Sequence, residues 1–375
     1  MQIRKIKLYP VNVPRQYGTV IAQAGGKAKR TVAESHFFFL EVTTDTGVVG
    51  WGEVSDIEPS ELPNPDEYAE LLAMFLVGRS PFEVQRMHRE LREHFDTGKG
   101  SLAAYSACAI DMAMLDIQGR AAGRPVYDLF GGKVRNDVVI SWVAYIRDDL
   151  TLLREEIADK VAEGFRAFKL KVGVNIDLDE ARLAILREVA GKDANIKVDA
   201  NAGWSVADAP RHIRRLHKYN LSGVETPVPR EDPANIAAVR RQVGVPILEH
   251  VSDPAYGLAL VKAGAVDVFN IATTGCGGIW PARQVVAIAD AAGVGILLGS
   301  TVELGPGTLA QLHLAATIRN LTLPSDLIGP GMYTDDVLAQ PLRYDAGRLR
   351  IPTGVGLGGS VDVAKLARLR GRRAP

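Results

Sequence analysis

The sequence predicts an α/β protein in which a (β/α) barrel follows a smaller α+β domain. Two observations point to the barrel. From about residue 138 the chain alternates strand-like and helix-like segments in seven or eight units of about 25 residues. No G-x-G-x-x-G follows an early strand to mark an open doubly wound sheet. The smaller domain is set apart by a change of period: strand-like alternation fills the first 55 residues, and helical spacing takes over from 65 to 123. A length of 375 residues is more than one small core needs, so two domains are expected, 1–125 and 126–349, with about 350–375 returning to complete the first.

Taken in order, "IRKIKLYPV" and "SHFFFLEVTTDTGVVGWGEV" read as antiparallel strands, with Asp45-Thr46-Gly47 turning the second run into a hairpin. Residues 16–31, rich in glycine and lysine, read as a loop. In the helical stretch Tyr105, Cys108, Ala109, Met112 and Leu115 recur at spacings of three and four. The barrel strands then follow as "VVISWVAY", "AFKLKVG", "NIKVDANAGW", "SGVETPVP", "VPILEH", "VDVFNIATTG" and "VGILLGSTVE", each followed by a helix, with a weak last strand near "LTLPSDL". The tail "PLRYDAGRLRIPTGVGLGG" has β-hairpin chemistry and is expected to rejoin the N-terminal sheet.

Composition narrows the partner class. Forty-four basic and 44 acidic residues cancel, which removes the electrostatic footprint of a nucleic-acid or polybasic membrane binder and favours a small molecule. Cys108 and Cys276 show neither zinc spacing nor a disulfide framework, and no run of about 18 apolar residues occurs, so a soluble cytoplasmic protein is expected.

Barrel enzymes place their chemistry at the carboxyl ends of the strands. In "FKLKV", Lys169 and Lys171 share one face while Phe168, Leu170 and Val172 share the other. Helices cover the outside of a barrel, so the lysines point into its mouth. A base whose pKa falls through desolvation and a neighbouring cation is one role for such a pair. The next strand repeats the pattern with Asp199 and Asn201, the one after ends in Glu225, and a third acidic end follows at Glu249 beside His250. Hard oxygen ligands on successive strand ends describe a Mg²⁺ site, with Mn²⁺ as a substitute.

These segments, together with "GVVGWGEV", "CAIDMAMLDIQGRAAGRPVYDLFGG", "GSTVELGPGT", "SDLIGP" and "IPTGVGLG", resemble the enolase superfamily, specifically its muconate-lactonising (muconate cycloisomerase) subgroup, over nearly the whole chain. The resemblance implies a capping α+β domain over a modified (β/α)7β TIM-like barrel, one essential Mg²⁺, a small carboxylate substrate, and a homo-oligomer. It also implies proton abstraction next to a carboxylate to give an enediolate, chemistry for which such enzymes use tuned lysines. By motif, Lys171 would be the base or acid and Lys169 would lower its pKa and offset substrate charge. Asp199 and Glu225 would bind metal, Asn201 would stand beside them, and Glu303 would lie near the substrate carboxylate opposite the metal.

Two positions depart from the pattern. Counting from Pro246, the third ligand falls on His250, whereas magnesium chemistry favours Glu249, and a one-residue slip or bulge would reconcile the two. In "NIATTGCGGI", Ala272 stands where the resemblance calls for a second lysine, so two-lysine racemisation is disfavoured and one-base dehydration or cycloisomerisation is expected. Racemisation with His250 as the second acid or base, a Schiff-base lysine and a silent metal-binding barrel are the alternatives.

Overall fold

Two-residue alternation at the N-terminus yields the expected antiparallel sheet, with one element more than expected. The computed structural model describes residues 1–30, 33–94 and 101–370. Strand β1 (Ile3–Pro14) is followed by β2 (Val20–Gln23) and β3 (Lys27–Arg30), and then by β4 (Glu34–Thr44) and β5 (Val49–Ile57). The main sheet has the order β1-β4-β5. β2 and β3 pair as a hairpin inside the stretch read as a loop, turning at Gly25 and Gly26 with φ of 80° and 72°. Thr31, at the end of that stretch, lies outside the described residues. Ile146 donates its backbone N–H to Val20 at 3.0 Å, which ties the hairpin to the first full barrel strand's end.

Helices α1 (Pro65–Leu76), α2 (Val84–His94) and α3 (Leu102–Ala122) complete this part. Ser101 caps α3 by accepting from the Ala104 N–H, and Gly123 ends it at φ 64°. α3 lies directly on β5, and the glycines of "GVVGWGEV" allow the approach. A Cβ on Gly52 would stand 1.9 Å from the Ala109 carbonyl oxygen, and one on Gly50 would stand 2.3 Å from that of Ala113. Gly52→Ala is therefore expected to destabilise the protein by about 1–3 kcal/mol through overpacking. Denaturant titration checks this, and an unchanged midpoint would contradict the close packing.

The second part begins with β6 (Asp137–Val139) and β7 (Trp142–Ala144) and alternates thereafter: α4 (Leu150–Ala162), β8 (Ala167–Lys171), α5 (Ile176–Ala190), β9 (Asn195–Asp199), α6 (Ala209–His217) and β10 (Leu221–Glu225). It continues with α7 (Pro233–Arg240), β11 (Ile247–His250), α8 (Pro254–Ala263), β12 (Val268–Ile271), the single turn α9 (Thr273–Cys276), α10 (Ile279–Ala292), β13 (Gly295–Leu298) and α11 (Gly305–Thr317). β7 to β13 form one parallel sheet in chain order. The weak strand expected near "LTLPSDL" is instead an extended segment joined by two bridges, Ile296 to Leu321 and Ile140 to Ser325, which close the ring between its first and last strands. Pro324 interrupts it, because proline donates no ladder hydrogen bond.

After α12 (Gly329–Met332), β14 (Arg348–Arg350) pairs with β6, so the tail hairpin joins the barrel side rather than the N-terminal sheet. Only the end of the tail returns to that sheet. Beyond α13 (Val363–Arg368), Leu369 accepts from the Asn12 N–H at 3.0 Å and Arg370 bridges Val11. Among the described residues no helix is long and apolar enough to cross a membrane.

Alternation along the barrel strands sorts their side chains. Phe168, Leu170, Ile196, Val198, Val224, Ile247, Phe269 and Ile271 join the large core shared with the surrounding helices. Leu248, Val268 and Leu297 form a small apolar cluster of their own within the ring. The inward positions nearest the carboxyl ends of β8 to β12 are polar, and they form the site.

Candidate active site

Three lysines and three carboxylates meet inside the ring. Lys171 Nζ donates to Asp199 Oδ2 at 2.6 Å. Lys169 Nζ donates to Asp326 Oδ2 at 2.7 Å and to Glu225 Oε2 at 3.2 Å, and stands 3.8 Å from Asp199 Oδ2. Lys197 Nζ lies deeper and donates to the other oxygen of Asp326 at 2.8 Å and to the Pro324 carbonyl at 2.7 Å. The side chains are 10%, 4% and 0% exposed for Lys171, Lys169 and Lys197, so Lys171 is the one at the mouth.

The charges tune one another. Burial alone would lower the pKa of Lys169, but Asp326, Glu225 and Asp199 outweigh it and raise the pKa above the ordinary lysine value. Lys169 is thus a fixed cation. Burial lowers Lys197, with Asp326 opposing. For Glu225 burial would raise the pKa, yet Lys169, Lys171 and Lys197 hold it below the usual carboxylate value.

Glu225 Oε1 also accepts from Asn270 Nδ2 at 2.8 Å and lies 2.8 Å from His250 Nε2. One ligand atom from each of Asp199, Glu225 and His250 falls within 4.8 Å of the others. Two carboxylates and an imidazole at that spacing suit a single divalent cation. When bound, such an ion would stabilise negative charge developing next to it.

Glu249, preferred as the third ligand on chemical grounds, is not in this cluster. Its carboxylate pairs with Arg230 Nε at 2.7 Å and accepts from Thr226 Oγ1 at 3.2 Å, on the other side of β11. No slip or bulge brings it inward: Leu248 pairs with Val268, Glu249 with Phe269 and His250 with Asn270 in unbroken register. With Leu248 inside the ring, a period of two puts His250 inside and Glu249 outside.

Asn201 sits just past Asp199 with φ 45°, and its backbone N–H donates to Asp199 Oδ1 at 2.8 Å. The main chain of this residue therefore orients the carboxylate. Glu303 is buried and accepts from Thr301 N at 3.1 Å, Thr301 Oγ1 at 3.0 Å, Ser300 Oγ and Thr274 Oγ1. The uncharged stretch containing Ala272 thus contributes a hydroxyl to a hydrogen-bonded acid. Behind it, Glu53 of β5 accepts from the backbone N–H groups of Leu304 at 2.9 Å and Gly307 at 2.8 Å, joining the two parts of the chain. Burial pushes Glu53 up to about 8, against those donors.

Sequence reasoning missed Asp326, Lys197, Asn270 and Arg230. Lys197 was within reach, because "KVD" repeats on β9 the two-residue spacing of "KLK" on β8. Asp326 lies in "SDLIGP", where no strand period flags an inward residue.

A capped barrel with paired lysines and carboxylates at its mouth defines the class: α/β-barrel proteins with side chains suited to acid–base chemistry. The family described as "Enolase C-terminal domain-like" matches residues 152–365, and "Mandelate racemase / muconate lactonizing enzyme, N-terminal domain" matches 18–131. The chain belongs to the mandelate racemase/muconate lactonizing enzyme family of the enolase superfamily. It is 33% identical to a hydrophobic dipeptide epimerase of Enterococcus faecalis over 298 residues, 78% of this chain and 82% of the epimerase. It is 29% identical to an N-succinyl-L-Arg/Lys racemase of Bacillus cereus over 376 residues, 98% of each. The crystal structure of 2-chloromuconate cycloisomerase from Rhodococcus opacus 1CP superposes with a TM-score of 0.88 at 26% identity, covering 99% of this chain and 100% of that one.

Proposed function

We propose that this protein is a divalent-metal-dependent lyase or isomerase that moves a proton at the carbon next to the carboxylate of a small substrate, through an enediolate. The observation that carries this reading is the placement of Lys171 at the barrel mouth, 2.6 Å from a carboxylate of the metal-capable cluster. In the proposed reaction Lys171 takes or delivers the proton, and Asp199 holds its amine in place. Lys169, kept protonated by three carboxylates, offsets the charge of the substrate anion. Asp199, Glu225 and His250 would hold the cation.

With a methyl group at Ala272 and one lysine at the mouth, one-base outcomes come first: elimination of a β-substituent, or cycloisomerisation with Lys171 delivering a proton. Epimerisation of an amino-acid derivative is the second reading, favoured by the activities of the E. faecalis and B. cereus relatives. It needs an acid on the other face of the substrate. His250, the sequence candidate, would have to leave Glu225 to serve, whereas the Thr274 hydroxyl already sits in a hydrogen-bonded network with Glu303 and Thr301.

Incubation in D2O with acid sugars, amino acids and N-acyl amino acids, followed by proton NMR, tests the proposal. The expected result is loss of the α-proton signal with some member of the set, with retained configuration for one-base chemistry and inversion for epimerisation. Metal-independent turnover, or a product that keeps the substrate's original α-proton and carries no deuterium at that carbon, would sink it.

A further inference from the structure

We infer that the Asp199–Glu225–His250 cluster selects a borderline first-row cation, with Zn²⁺ and Co²⁺ as probes, over Mg²⁺. The inference rests on the metal-dependent reading above and concerns which ion the cluster takes. Three features of this chain lead to it.

The first is the donor set. Mg²⁺ binds through hard oxygens and keeps its waters, whereas imidazole nitrogen adds strength for Zn²⁺ and Co²⁺. His250 Nε2, 2.8 Å from Glu225 Oε1, is the third donor of the cluster. The second is that Glu249, the adjacent carboxylate, cannot readily replace it. Glu249 is one residue away but outside the ring, held by Arg230 at 2.7 Å and by Thr226. Bringing it in would turn Leu248 out of its cluster with Val268 and Leu297 and break the register with both neighbouring strands.

The third is the charge balance. Lys169, Lys171 and Lys197 already match Asp199, Glu225 and Asp326 one for one, so no surplus negative charge is left to draw in an ion held by electrostatics alone. A cation that also gains from a metal–nitrogen bond loses less by that balance. The choice of ion therefore turns on His250.

Isothermal titration of the metal-stripped full chain with Mg²⁺, Co²⁺ and Zn²⁺, with visible spectra of the Co²⁺ form, tests this without reference to turnover. Co²⁺ and Zn²⁺ are expected to bind at least about tenfold more tightly than Mg²⁺. In His250→Asp the ratio should fall by a similar factor and the Co²⁺ spectrum should change as nitrogen leaves the ligand set. His250→Asn serves as the second variant should the aspartate disturb folding, and it should lose Co²⁺ affinity with little change for Mg²⁺. Mg²⁺ binding as tight as Co²⁺ in the wild type, or a Co²⁺ spectrum insensitive to either variant, would overturn the inference while leaving metal dependence intact. No binding of any of the three ions would overturn both.

Discussion

Replacing Lys171 with alanine is expected to slow α-carbon deuterium exchange by about 10³-fold, the middle of the range for losing a positioned acid–base group. The fold should survive, because Asp199 is not left alone. Its Oδ1 still accepts from the Asn201 N–H at 2.8 Å, and Lys169 Nζ stays 3.8 Å from its Oδ2. Lys171→Arg sharpens the test. A guanidinium keeps the charge and can hydrogen-bond Asp199, but it does not give up its proton in the working pH range. If Lys171 acts by proton transfer, both variants lose exchange to a similar degree while substrate still binds, as measured by calorimetry. Arginine activity within about tenfold of wild type would mean that the position supplies charge only, and the proton would then need another carrier.

The contrast between legible and illegible residues has a physical basis. Lys169, Lys171, Asp199 and Glu225 could be placed from sequence because a barrel strand has a fixed outside, and a period of two then dictates which residues face in. The same rule, applied at β11, selects His250. Ligand chemistry pulled the other way toward Glu249, and the structure follows the register, since strand pairing on both sides and the burial of Leu248 outweigh the preference of an ion for oxygen. The β2–β3 hairpin was hidden because β2 spans only Val20–Gln23 and Lys27, Ala28 and Lys29 give β3 no apolar face to announce a strand. The Thr274–Glu303 contact spans 29 residues and joins two turns, so no local pattern reports it. Asp326 is the costliest omission, since it sits in the irregular segment that closes the ring, where sequence carries no period at all.

Asp326 is the residue whose loss should cost the most stability. Its two oxygens serve two different buried ammonium groups, Lys169 at 2.7 Å and Lys197 at 2.8 Å. Lys197 is wholly buried, and its other hydrogen-bond partner, the Pro324 carbonyl, carries no net charge. Asp326→Asn keeps the shape but removes the counter-charge and turns an NH2 group toward one of the lysines. Breaking a buried pair in this way costs about 3–5 kcal/mol, because the remaining charge is uncompensated. A pH dependence should identify the cause. Burial already lowers the pKa of Lys197, and without Asp326 it falls further below the value in the unfolded chain. Between those two values the unfolded state binds more protons than the folded one, so the variant's stability rises with pH toward the ordinary lysine pKa. Denaturant unfolding at neutral and alkaline pH should therefore show a variant deficit that shrinks as Lys197 sheds its proton. A deficit that stays constant with pH would assign the loss to packing, and Lys197→Met in the Asp326→Asn background, which removes the stranded charge, should then restore nothing. If the stranded ammonium is the cause, that second substitution recovers much of the lost stability at neutral pH.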